Sequence, residues 1–307
     1  METKGTLAGK RDSLRRRALM IQAIRSFLIR KDYLEVETPC LIPAPAPEEH
    51  IEALSCGDLF LHTSPELGMK RLLAAGYPRI FQICKCFRSQ ERGERHLPEF
   101  TMLEWYRAGS DYGELMEECE ELLCALAGEL GCGPALSYRG KEISLQRPWE
   151  RVSVAEAFSR YTPVSMAQAL EKDCFEEMMA YHIEPHLGMV RPTFLYDYPL
   201  HPGALSRAKR AEGTLAERFE LYLGGMELAN ASSELTDARE QGRRFQEAAG
   251  ARRSLGKVVY PPAEKFLTDL AGMPEAAGIA LGLDRLAMIM TDSSVIDQVV
   301  AFVPEDM

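Results

Sequence analysis

The stretch FRSQERGERHLPEFTMLEWY, residues 87–106, sets two apolar arms around Arg88, Glu91, Arg92, Glu94, Arg95 and His96. A solvated hairpin tip accounts for that charge, and so does a site for anions. The second arm carries a sharper signal. Alternation along 99–106 puts Phe100, Met102, Glu104 and Tyr106 on one face, and Glu99, Thr101, Leu103 and Trp105 on the other. A carboxylate in the middle of a sheet face is costly to bury unless it meets a cation. Glu104 therefore needs a lysine, an arginine or a cationic ligand.

A second segment, 218–231, has the same character. Gly224-Gly225 is a favoured two-residue turn, which sets position 222 opposite 227 and 220 opposite 229. Glu220 and Glu227 then form a diagonal pair on one face, roughly 7–8 Å apart along the backbone. Two such carboxylates suit Mg²⁺ bridging phosphates; an exposed face with two solvated glutamates explains the spacing equally well. A third signal is Gly282-Leu283-Asp284-Arg285. A helix opening there offers free N–H groups to an anion, and Arg285 adds a fixed charge, although a plain capping motif reads the same. Together, Arg88, the loop to His96, Arg285 and the two carboxylates make an anion-binding set for a nucleotide. Phe100 lies beside them as a stacking surface worth about 1–3 kcal/mol per base. No glycine-rich phosphate loop of the common types competes for the nucleotide.

These groups need a scaffold. Apolar spacing predicts a helix over 13–31, capped by Asp12 or Ser13, and a short strand over 34–38. The proline-rich LIPAPAPEE must be loop. A helix runs from Ser64-Pro65 to Gly76, strands over 79–87 and 99–107 pair, and an acidic amphipathic helix spans 112–130. Helices are expected at 153–160 and 166–180, within a less regular stretch, 134–215, read as an insertion decorating the core. Helices near 237–253 and 262–272 precede the closing AAGIALGLDRLAMIM, a strand running into a helix. No linker divides the chain, so 1–307 is expected to be one α+β domain on an antiparallel sheet flanked by helices.

Composition narrows the classes. The chain has 307 residues, 46% hydrophobic and 27% charged, which suits a globular protein with a substantial core. No apolar run is long enough for a membrane span. The charged start METKGTLAGKRDSLRRR lacks a signal-peptide pattern, so a cytoplasmic protein is expected. A net charge of −10 and basic runs limited to Arg15-Arg16-Arg17 and Arg252-Arg253 disfavour a long nucleic acid as partner. Cys84-Lys85-Cys86 is read as a strand spacing that turns its thiols to opposite faces, which suits neither a zinc knuckle nor a redox pair. All eight cysteines are expected as free thiols.

The blocks in order have a family look. FRSQE…RHLPEFTMLEWY resembles motif 2 of class II aminoacyl-tRNA synthetases of the lysyl type, GIALGLDRLAM their motif 3, and FLIRKDYLEVETPCL their motif 1. ERFELYLGGMELANASSELTDARE is similar to the lysine-pocket hairpin, and TSPELGMKRLL to the helix entering that pocket. The resemblance covers residues 14 to 302. It implies that Arg88 contacts the α-phosphate and the amino acid carboxylate, with Arg285 on the γ-phosphate; these two are the expected catalytic residues. It also implies that Glu91 and His96 cover ATP, that Phe100 stacks on adenine, and that Glu220 and Glu227 ligate Mg²⁺. Glu66 would take an amino group of the substrate. Glu104, Tyr106 and Glu234 would surround the ε-ammonium, with Asn230 near the carboxylate. Alternation puts Asn230 and Glu227 on opposite faces, so this carry-over requires a bulge between them.

With motif 1 beginning near residue 13, no room is left for an anticodon-binding barrel. The chain therefore resembles the elongation factor P (R)-β-lysine ligases, paralogues of the lysyl-tRNA synthetases that modify a protein. Ala280, where the synthetases have glycine, agrees. Implied are ATP and Mg²⁺, lysine or (R)-β-lysine as substrate, elongation factor P as acceptor, a homodimer through motif 1 at Pro39, and no tRNA. A truncated lysyl-tRNA synthetase and a non-catalytic regulatory paralogue are the alternatives. Two departures stand out: Leu97 replaces the asparagine usual after the motif 2 histidine, and Ala231-Ser232 the usual glycine–aromatic pair, leaving a smaller pocket wall. Glu94 and Arg95 are read as solvated tip residues.

Overall fold

The structure, a computed structural model, describes residues 6–201 and 205–307. The first five residues, part of the charged N-terminus, and 202–204, within the expected insertion, lie outside them.

The two charged hairpins form where glycine and alternation dictate. Strands Arg79–Phe87 and Glu99–Ala108 pair in unbroken antiparallel register from Arg79↔Arg107 to Phe87↔Glu99. Strands Glu212–Leu223 and Met226–Ser233 turn at Gly224 and Gly225, with φ of 63° and 71°. A Cβ on Gly224 would lie 2.7 Å from the Tyr138 ring, so both conformation and space require glycine there. Between the hairpins runs the closing strand Ala276–Gly282, antiparallel to Glu99–Ala108 on one side and Met226–Ser233 on the other. Thr193–Pro199 adds to the far side, and the edges Leu34–Glu35 and Glu150–Ser153 pair in parallel. The central sheet is thus mixed, antiparallel wherever it carries the candidate residues. The stretch 134–215, expected as decoration, contributes two strands to this path.

One sheet face is dry. Leu103, Trp105, Ile279, Leu281, Ala229 and Phe219 pack there against helices Arg11–Arg30, Tyr112–Glu129 and Leu283–Met290. Glu118, buried on this side, accepts from Tyr33 Oη at 2.7 Å and Trp105 Nε1 at 3.0 Å, which satisfies its carboxylate. Among the described residues no helix is long and apolar enough to cross a membrane.

Several local expectations change. The first helix begins at Arg11 with Lys10 before it and no side-chain cap, so Asp12 lies in the first turn, favourably placed against the helix dipole. The strand expected at 34–38 shrinks to two residues. The helix expected over 166–180 breaks: Met166–Glu171 ends at Asp173, whose φ is 53°, and Phe175–Met178 runs into a wider turn, Met179–Ile183. Arg252, read in a basic run, is wholly buried: its guanidinium donates to the carbonyls of Glu48 and Ile51 and to Glu52 Oε2, at 2.6–2.9 Å. Arg17 likewise reaches Asp284 Oδ1 at 2.5 Å, while Asp284 Oδ2 accepts from Thr101 N–H. Arg17 and Arg252, one from each basic run, are internal struts, while Arg15 and Arg253 are exposed.

Candidate active site

The wet face of the sheet carries the chemistry, and register lines it up. Gln82 faces Glu104, Glu104 faces Ala280, Ala280 faces Asn230, and Asn230 faces Glu220, one row across five strands. The next row runs Ile80, Tyr106, Gly278, Ser232, Arg218. A Cβ on Gly278 would lie 2.2 Å from the Tyr106 ring and 2.3 Å from Glu234 Oε1, so this glycine lets the two side chains close over the strand.

Asn230 and Glu227 do share that face. The pairing Tyr222↔Glu227 holds as expected, but the next pairs are Leu221↔Ala229 and Glu220↔Asn230. Leu228 is the extra residue of a bulge. Glu220 therefore faces Asn230 rather than residue 229. The bulge spends one residue to bring a carboxylate and an amide to the same side.

At the inner end three carboxylates gather, and two of them hold one internal cation. Lys70 Nζ, fully buried, lies 2.6 Å from Glu66 Oε1 and 2.5 Å from Glu234 Oε2. Glu104, 1% exposed, accepts from Ser64 Oγ at 2.6 Å and Tyr106 Oη at 2.8 Å. Burial, then the charge of Glu66, pushes Glu104 up to about 8 despite those hydrogen bonds. Burial also pushes Glu234 up, against the pull of Lys70. Sequence reading missed Lys70, whose signal was its i,i+4 spacing from Glu66, usually a solvated helix pair. It means that Glu66 and Glu234 already hold an ammonium of the chain itself.

At the outer end lie the cations. The Arg88 guanidinium sits over the Phe100 ring, 5.1 Å from its centroid, with Glu91 at 3.8 Å; its Nε is buried without a hydrogen-bond partner among the described residues. Arg285 donates to His96 Nε2 at 2.6 Å and to the Glu227 carbonyl at 2.9 Å. Burial and then the Arg285 charge push His96 down, so a neutral imidazole accepts that bond. Arg95, expected in solvent, donates to the Gly225 carbonyl at 3.1 Å and ties the hairpin tips together. The loop 48–52 that Arg252 pins also meets this end, through Ser89 N–H to Glu52 O at 2.7 Å.

Glu220 is held by Tyr198 and Tyr222, each at 2.6 Å, and by Arg218. Glu227 has Arg285 beside its carboxylate, at 3.3 Å, and burial followed by the Glu220 charge pushes it up. Glu184, which sequence reading also missed, is raised by burial and by the same two carboxylates. Oxygen donors under mutual repulsion fit a hard divalent ion, with Glu227 the more accessible ligand and Glu220 the pre-oriented one.

The departures sort themselves by face. Leu97 is buried in the core, so it turns away from the nucleotide side. Ala231 packs in the core as well, and only Ser232 lies in a wet-face row. Any narrowing of the wall is therefore at Ser232, opposite Gly278. Cys84 and Cys86 correct a further expectation. Residues two apart on a strand share a face, and their sulfurs are 3.9 Å apart. Their shared hydrogen bond lowers Cys84 and raises Cys86.

Residues 8–306 match the sequence model of the family described as tRNA synthetases class II (D, K and N). Among curated proteins, the chain is 38% identical over 310 residues to a protein of Salmonella dublin named elongation factor P--(R)-beta-lysine ligase. It is equally identical over 309 residues to the protein of that name from Salmonella typhi. In both cases 94% of each chain is covered.

Proposed function

We propose, for a chain that belongs to the class II tRNA synthetases of the D, K and N group, that it is an ATP-dependent, AMP-forming ligase: it activates a diamino acid, (R)-β-lysine or lysine, and transfers it to a lysine side chain of elongation factor P. The observation that carries this reading is the charge count of the pocket. Glu66, Glu104 and Glu234 supply three carboxylates and Lys70 one ammonium, which leaves two negative charges once Glu104, pushed up to about 8, gives up its proton as an ammonium comes in. A diamino acid brings two ammonium groups, and burying both requires that balance. Glu104, with Tyr106, is the carboxylate free of Lys70 and would take one ammonium. Glu66 and Glu234 share the other with Lys70. Asn230 and Ala280 lie in the same row and would border the carbon chain. Ala280 puts a methyl between Glu104 and Asn230, which suits an amine one carbon further along.

The reaction has two steps. The amino acid carboxylate attacks the α-phosphorus and pyrophosphate leaves; the acceptor's ε-amine then attacks the carbonyl and AMP leaves. Arg88 would contact the amino acid carboxylate and the α-phosphate; its buried Nε, without a hydrogen-bond partner among the described residues, supports an anion there. Arg285, oriented by neutral His96 and by Glu227, would hold the γ-phosphate. Phe100 would stack on adenine under Glu91 and His96. These groups act by positioning and by fixed charge. Magnesium, held by Glu227 and Glu220, would neutralise phosphate charge. The exposed apolar residues Leu34, Leu41 and Leu59 near exposed Pro39 support a homodimer through this face. A partner in translation would put the reaction in the cytoplasm.

ATP–pyrophosphate exchange with a panel of lysine isomers tests the reading. Exchange driven by (R)-β-lysine above lysine is expected; exchange with neither would return the chain to a non-catalytic role.

A further inference from the structure

His62, Cys84 and Cys86 form a cluster that the proposed reaction does not use. Their ligand atoms all lie within 4.8 Å of one another. His62 and Cys86 are buried and Cys84 half-buried. The geometry comes close to a tetrahedral soft-metal site. Zinc–sulfur bonds of about 2.3 Å at the tetrahedral angle set two sulfurs about 3.8 Å apart, and here they are 3.9 Å apart. Sulfur and nitrogen ligands on the same ion would stand about 3.6 Å apart; Cys86 Sγ and His62 Nε2 are 4.0 Å apart, a few tenths of an ångström from closure. The donor set is soft, two thiols and an imidazole, unlike the all-oxygen set at Glu220 and Glu227.

We propose that His62, Cys84 and Cys86 bind a single zinc-class divalent ion through three protein ligands, with the fourth position open to water. Loading releases one proton from each thiol still protonated and involves no oxidation. In the structure His62 Nε2 donates to the Lys85 carbonyl at 2.6 Å. Ligation through Nε2 exchanges that hydrogen bond for a metal bond, and the ring proton moves to Nδ1.

The position gives the ion a consequence. His62 stands two residues before Ser64 and four before Glu66, on the segment that enters the amino-acid pocket. Cys86 stands two residues before Arg88 and faces Phe100 across the hairpin. An ion here staples the pocket segment to the strand that delivers the phosphate-end arginine. Among the described residues the strand Leu59–Leu61 and the strand Arg79–Phe87 belong to separate sheets and meet at Phe87 N–H to His62 O, 3.0 Å, so the ion would reinforce a junction that no ladder makes.

Cobalt(II) titration of the full-length protein, followed by absorption, tests the proposal. Expected is one equivalent bound, with a sulfur-to-cobalt charge-transfer band, tetrahedral visible bands, and displacement by one equivalent of zinc. Cys84→Ser, Cys86→Ser and His62→Gln should each weaken binding by about tenfold or more, since losing a ligand costs no less than losing a partner of one. Cys174→Ser should bind as wild type. Far-ultraviolet circular dichroism checks that each variant is folded, and zinc should raise the melting temperature of wild type but not of Cys86→Ser. No charge-transfer band in wild type, or an unchanged band in the folded Cys84→Ser/Cys86→Ser variant, overturns the proposal.

Discussion

The two charged hairpins solve different problems with the same material. The hairpin Arg79–Ala108 keeps strict register through nine pairs, so every second residue reaches the wet face and Phe100, Glu104 and Tyr106 line up without adjustment. The hairpin Glu212–Ser233 must present Glu220, Glu227 and Asn230 on one face although Glu227 and Asn230 are an odd number apart, and it does so with the bulge at Leu228. Regular alternation suffices for groups evenly spaced along one strand. Gathering a metal-type carboxylate and an amide from adjacent turns of the pleat requires a defect. On the proposed function the regular hairpin would serve the base, the α-phosphate and the buried ammonium, and the bulged one the metal.

The largest expected effect breaks the bridge between the hairpins at the phosphate end. Arg88→Ala and Arg285→Ala should each lower kcat/KM for ATP–pyrophosphate exchange by about 10²–10³, because each removes a fixed charge aimed at developing negative charge. Arg88→Lys should recover little, since a lysine cannot reproduce the planar contact over Phe100. Next comes the regular hairpin's buried acid. Glu104→Gln should cost about 3–5 kcal/mol of diamino acid binding, the penalty for an ammonium left unpaired in a dry pocket, measured as KM for the amino acid.

That acid also sets a pH dependence. Glu104 is pushed up to about 8 in the free protein, so near neutrality it holds a proton that must leave before an ammonium can pair with it. Affinity for the diamino acid should rise as pH goes from 6 to 8 and flatten above, with a proton released on binding, and Glu104→Gln should abolish that slope. The stability sign is opposite. A carboxylate raised above its unfolded value favours the folded state at low pH and loses that contribution as pH rises through about 8. The ligand-free protein should therefore gain less melting temperature, or lose more, between pH 6 and pH 9 than the folded Glu104→Gln variant does. Calorimetry across this range reads both.

The bulged hairpin gives a smaller effect. Glu227→Gln should raise the magnesium concentration needed for half-maximal exchange by about tenfold and leave the amino-acid KM unchanged. An amino-acid effect of equal size would mean that the two hairpins do not divide the labour. The smallest effect is selectivity: Ala280→Gly should move the preference between (R)-β-lysine and lysine by about tenfold, the usual worth of one methyl in a pocket.

What could be read without coordinates follows the same contrast. The strands 79–87 and 99–107 were legible almost to the residue because one side of the sheet is mostly apolar and any one-residue slip would turn Glu104 toward it. The need for a bulge between Glu227 and Asn230 was legible, but not its place at Leu228, since any residue between them could be the extra one. Lys70 was hidden because an i,i+4 pair looks the same in solvent and in a core. Arg252 was hidden because an arginine buried on backbone carbonyls leaves no pattern beyond its own charge. The thiols of Cys84 and Cys86 were misassigned by a parity error, and the break at Asp173 carries neither glycine nor proline to announce it.

The central claim is that the pocket's two surplus negative charges select a diamino acid that ends on a protein. Intact-mass measurement of elongation factor P, incubated with the enzyme, ATP and (R)-β-lysine, tests it most directly. The account predicts a mass gain of one β-lysyl group per factor with one AMP released, and none with Glu104→Gln. An unmodified factor, with the label instead on tRNA, would contradict it.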